Sequence, residues 1–122
     1  MTCNVPVSVG ELLDKITILE IKIEHGLDSS KQELEHLLEI EKRLNLPPII
    51  KKMQILLHEV NKICWGVEEG KRNHEAMKDF GDSFIDLSRS VYYFNDIRAD
   101  IKKKINNLSG SEILEHKSHG NY

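Results

Sequence analysis

Apolar residues recur at the 3.6-residue spacing of an α-helix through most of the chain, in four blocks separated by short stops. A half-buried strand would need apolar and polar residues to alternate with period two, and no stretch does so. Each block can bury one stripe only by packing on another, and short connections make consecutive helices antiparallel. The expected fold is an all-α antiparallel bundle of about four helices with a short C-terminal turn. At 122 residues the chain has enough material for one sizeable core and not two, so residues 1–122 are read as a single domain.

The first block opens at Ser8, with Glu11 three residues on as in a capping box, and continues through Leu12, Leu13, Ile16, Leu19 and Ile23 to a stop at Gly26. A second Ser–Glu pair, Ser30 and Glu33, opens the next block, whose stripe is Leu34, Leu37, Leu38 and Leu44. Pro47 and Pro48 end it, because a proline disfavours helix at the residue before it. The third block carries Ile49, Met53, Leu56, Leu57, Val60, Ile63, Cys64 and Val67, after which the same face turns polar at Lys71, His74 and Lys78. That helix either leaves the core there or breaks near Gly66 or Gly70. The fourth starts at the Gly81-Asp82 pair and runs through Phe84, Leu87, Val91, Phe94, Ile101, Ile105 and Leu108 to a terminator at Gly110. A short turn at Ser111 to Leu114 and a polar tail follow.

Composition excludes several function classes. Lys plus Arg number 17 against 20 for Asp plus Glu, a formal net charge of -3, and the run Lys102-Lys103-Lys104 reads as a solvated helix face, so nucleic-acid binding has no support. No apolar run approaches a membrane span, and the N-terminus lacks the basic and apolar regions of a signal peptide. Cys3 and Cys64 fall in an arm and on a core stripe, which suits a reducing compartment and a cytoplasmic location. Ile18 and Ile21, with Ile55 and Trp65, lie off the main stripes of their helices. Apolar residues on two faces suggest burial on both sides, and hence a homodimer.

The candidate chemistry lies in polar residues on apolar arcs. Arg98 falls between Val91, Phe94, Ile101 and Ile105, flanked by Asn95 and Lys102. Glu20 falls beside Leu13, Ile16 and Ile23, with Thr17 next to it. An unpaired guanidinium in such a place costs several kcal/mol, so the expectation is that Glu20 and Arg98 face each other across the core. Two uses are open for them: a structural ion pair, or an inter-helix polar site where Arg98, Lys102 and Asn95 hold a small anionic ligand and Glu20 and Thr17 orient them.

Other chemistries fare worse. Glu33-x-x-His36 has the spacing of a di-iron carboxylate helix but stands alone, and His116-x-x-His119 lies in the polar tail, so no metal or other cofactor is expected. There is no nucleophile elbow and no phosphate loop. Glu11-x-x-Asp14 and Asp79-x-x-Asp82 are fragments of the magnesium-binding acid pairs of all-helical nucleotide pyrophosphohydrolases. Glu11 is explained instead as a capping-box member and Asp79 as an exposed loop acid.

The segment 7–22, VSVGELLDKITILEIK, resembles the opening of a bacterial family known as a domain of unknown function. The segment 84–92, FIDLSRSVY, resembles the same family, as do Asn95-Asp96-Ile97-Arg98, Lys102-x-x-Ile105-Asn106 and the closing Glu115-His-Lys117-Ser118. Relatives of this kind stand near, or fused to, glycosyltransferase and tetratricopeptide-repeat proteins, so the resemblance implies a link to surface-polysaccharide metabolism. Its motif positions include Glu20, Asn95, Arg98 and Lys102. The expectation is a non-catalytic binding or assembly module for a small anionic ligand or a partner protein. The alternative is an enzyme acting on a phosphorylated or carboxylated metabolite at the Glu20/Arg98 region.

Overall fold

The computed structural model describes residues 1–110. They form four helices: α1 (Val9–Glu24), α2 (Lys31–Leu44), α3 (Pro48–Met77) and α4 (Asp82–Ser109), with a 3-10 turn at Asp28–Ser30. No strand occurs among the described residues, and the chain is an all-α helical bundle. The expected turn after Ser111, the His116/His119 pair and the closing motif at Glu115 to Ser118 lie outside the described residues.

Local chemistry explains most of the boundaries. The Ser8 hydroxyl accepts the Glu11 amide at 3.1 Å and so caps α1, while Gly26 takes the left-handed φ of +85° just past its end. Gly110 does the same for α4 at +68°. The second capping box does not form. Ser30 belongs to the 3-10 turn, has helical backbone angles and makes no capping hydrogen bond. α2 ends at Leu44 because Asn45 turns left-handed, before the prolines are reached, and Pro48 then supplies the first residue of α3.

α1 is the helix that the other three share. Its buried residues are Gly10, Leu12, Leu13, Asp14, Ile16, Thr17, Leu19 and Ile21, too wide an arc for one stripe. Leu12, Leu13 and Ile16 join Ile50 and Leu57 of α3 and Ile105 of α4 in the core, with Leu34, Leu37 and Ile40 of α2 packed against them. Each fully buried side chain among them contributes about 1.5–3 kcal/mol by leaving water. A second stripe of α1 places the small or polar Gly10, Asp14 and Thr17, and then Ile21, at spacings of four, three and four.

α3 does not break at Gly66 or Gly70. It continues beside the N-terminal half of α4, and Leu87 packs over the bare Gly70 backbone. Phe84 closes the tip of this hairpin against Phe80 and His74, with ring centroids 5.2 and 6.0 Å apart. Of the four residues that suggested a second buried face, Ile21 is buried within the chain, and Ile18 and Trp65 are half-buried. Only Ile55 is exposed, at 64%. No helix among the described residues is long and apolar enough to cross a membrane.

Candidate functional site

The expected partner of Arg98 is wrong. Arg98 pairs with Asp14, not Glu20: its Nε donates to Oδ1 at 2.9 Å and its Nη2 to Oδ2 at 2.5 Å. The reason lies in the breadth of the α1 arc. Asp14 belongs to the small and polar stripe that looks towards α3 and α4, whereas Glu20 has Glu24, Glu41 of α2 and His58 of α3 for charged neighbours.

Asp14 is the hub of the cluster and is only 1% exposed. Besides Arg98 it accepts a hydrogen bond from Asn61 Nδ2 at 2.9 Å, and Lys102 Nζ stands 3.6 Å from its Oδ2. Asn61 also donates to Thr17 Oγ1 at 2.8 Å, and that hydroxyl donates to the Asp14 carbonyl at 2.8 Å. Lys102, buried despite its place in the lysine run, donates to Glu11 Oε2 at 2.8 Å. Glu11 thus does more than begin a helix. One turn away, the Gly10 amide donates to Asn106 Oδ1 at 2.7 Å. Two carboxylates meet two cations, so the cluster is formally neutral, and its hydrogen bonds offset the cost of taking the charges out of water.

Burial alone would raise the Asp14 carboxyl. Hydrogen bonds from Arg98 and Asn61, with the charges of Arg98 and Lys102, outweigh it and hold the group below its ordinary value. The bond to Asp14 raises Arg98 against its own burial. Glu20 goes the other way: burial pushes it up, Glu41 and Glu24 add to this, and His58 opposes.

A group whose folded-state pKa is raised opposes folding in its charged form, and the penalty fades as the pH falls through that value. Glu20→Gln is therefore expected to raise the melting temperature at pH 7. Calorimetry across a pH series should show the advantage vanish in acid. A neutral or destabilising change at pH 7 would place Glu20 in an ion pair after all.

Between α1, α3 and α4 a cavity of about 500 Å³ adjoins the cluster. Arg98, Asn61 and Asn95 line it with Trp65, Phe94 and Ile21, while Lys22, Glu68, Glu69 and Arg72 add charges around them. Arg98 spends Nε and Nη2 on Asp14, and its Nη1 lies 3.5 Å from Asn95 Oδ1. Burial pushes the Cys64 thiol, also at the cavity, above its ordinary value, so it is a poor nucleophile. Of the five residues selected from the sequence, Arg98 and Asn95 reach the cavity, and Thr17 and Lys102 lie in the cluster behind it. Glu20 belongs to neither.

In the sequence Asp14 stands out only as a fragment of an acid pair and Glu11 only as a cap, and Asn61 is passed over. The signal for Asp14 was the Gly10–Asp14–Thr17–Ile21 spacing. For Asn61 it was the run Leu57, Asn61, Cys64 at helical intervals. Among the described residues no three His, Cys, Asp or Glu side chains come together as metal ligands, and Glu33 and His36 gain no partners for that role. No family model, no curated protein and no solved structure matches the chain.

Proposed function

We propose that the chain is a homodimeric, non-catalytic binding module whose inter-helix cavity takes a small organic anion with an apolar or planar body. One observation carries this reading: a half-buried arginine, fixed by a bidentate bond to a buried aspartate, stands beside Trp65, Phe94 and Ile21 in a cavity of about 500 Å³ whose other lining residues include the charged Lys22, Glu68, Glu69 and Arg72. The bond to Asp14 sets the guanidinium plane in advance, so little side-chain freedom is lost when a carboxylate or phosphate meets the remaining Nη1 edge beside Asn95. Trp65 and Phe94 suit a ring or an aliphatic body. The alternative, an enzyme acting at the Glu20/Arg98 region, has less support, because Arg98 is bonded to Asp14 and Glu20 stands elsewhere.

The resemblance of segment 7–22 to a family linked with surface polysaccharides makes sugar phosphates and nucleotide sugars the ligands to try first, with small dicarboxylates beside them. Trp65 is the sole tryptophan, so its emission reports on the cavity directly. A binding ligand is expected to change that emission saturably and to raise the melting temperature with concentration. Asn95→Ala should weaken binding about tenfold while leaving the fold intact, since it removes one polar contact at the cavity. If no ligand of these classes moves either signal, the ligand reading fails.

A further inference from the structure

The outer face of α3 carries apolar residues that none of the described residues covers. Ile49, Leu56 and Ile63 are 49, 57 and 45% exposed and stand seven residues apart. Met53 and Val60 lie between them and Val67 follows, all half-buried, with Met53 also packed on the core and Val67 also lining the cavity. Together the six alternate at intervals of four and three, the spacing of a helix–helix seam. The fold buries part of one row and leaves the other open. Ile55 lies at the edge of the same face.

Two exposed charges give the face a direction. Lys52 lies four residues before Leu56 and Glu59 three after it, and neither has an ion pair among the described residues. We propose that α3 pairs with α3 of a second copy, antiparallel, about a two-fold axis passing close to Leu56. That register sets Ile49 opposite Ile63, Leu56 opposite itself and Lys52 opposite Glu59, each twice. A parallel pairing would set lysine on lysine and glutamate on glutamate, so the charges select the antiparallel one. The cavity residues Asn61, Trp65 and Arg72 lie on the opposite side of α3, and the pairing leaves them accessible. This refines the homodimer part of the functional reading and does not depend on the ligand.

Sedimentation equilibrium tests it. The wild-type chain is expected to be a dimer at micromolar concentration. Leu56→Asp, which sets like charges on the axis, should raise the dissociation constant about a hundredfold or more. Helix content by circular dichroism should not change, because the side chain is exposed, and Ile63→Asp gives the same result by a second route. Lys52→Glu alone should weaken the dimer, and adding Glu59→Lys should restore it. A wild-type monomer at the highest soluble concentration overturns the proposal, as does a dimer indifferent to Leu56→Asp or a charge swap that fails to restore pairing. A monomer whose Trp65 emission still responds to ligand removes the interface alone. A dimer without that response removes the ligand alone.

Discussion

Arg98→Met is expected to destabilise the fold by about 3 kcal/mol, the low end of what breaking a buried ion pair costs. The loss comes from Asp14, which stays buried at 1% exposure with its principal counter-charge gone. Lys102 at 3.6 Å and Asn61 at 2.9 Å remain as partners and keep the figure from the upper end. Asp14→Leu should cost less, because the Arg98 side chain is 29% exposed and can turn its charge into the cavity. The double variant should recover much of the Arg98→Met loss, since apolar groups of similar size pack where the pair stood. Glu20→Leu should show no such coupling to Arg98→Met. Denaturant unfolding of the full set would decide the matter, and additive losses for Asp14 and Arg98 would refute direct pairing.

The effect also has a sign in pH. Asp14 has a lowered folded-state pKa, so its stabilisation is present above the unfolded value of about 3.9 and is lost as the pH falls through the folded one. The gap between wild type and Arg98→Met should therefore narrow in acid, where protonation also relieves the variant.

Gly10→Ala is expected to cost about 2–3 kcal/mol, and to lower the melting temperature on the order of 10 °C. An added Cβ would stand 2.6 Å from the Lys102 carbonyl oxygen and 2.8 Å from Asn106 Oδ1. One of these atoms is backbone and the other already holds the Gly10 amide, so α1 and α4 must part. Gly70→Ala makes the control. Its Cβ would meet Leu87 Cδ1 at 2.9 Å, the free end of a flexible side chain, and the change should cost about 1 kcal/mol or less. Equal losses at the two glycines would mean that the α1–α4 approach is not rigid.

The helices were legible because their apolar rows and terminal glycines speak locally. Ser30 misled for a physical reason: the residues before it wind into a 3-10 turn, which gives Ser30 helical angles instead of the extended ones a cap requires. Arg98 and Lys102 stood out because charge on an apolar arc demands a partner. Which partner was another matter. Glu20 sits amid leucine and isoleucine on one stripe of α1, whereas Asp14 sits on a second stripe whose glycine and threonine look neutral in sequence. α1 touches three helices, so two of its faces are interior, and a single-stripe reading leaves one out. Asn61 was hidden in the same way, between the core residue Leu57 and Cys64 at the cavity.

The α1–α4 link also orders events in time. Asp14 meets Arg98 across 84 residues of chain, and Gly10 meets Asn106 across 96. Closing so long a loop adds little entropy beyond a shorter one, but it must wait until both ends exist. On a ribosome α1 emerges first and can settle on α2 at once, with its aspartate still open to water. The carboxylate can be sealed only when the second half of α4 arrives carrying its guanidinium. Until then, burying the α1 carboxylate would leave its charge without its principal partner, a cost that opposes early burial of this face.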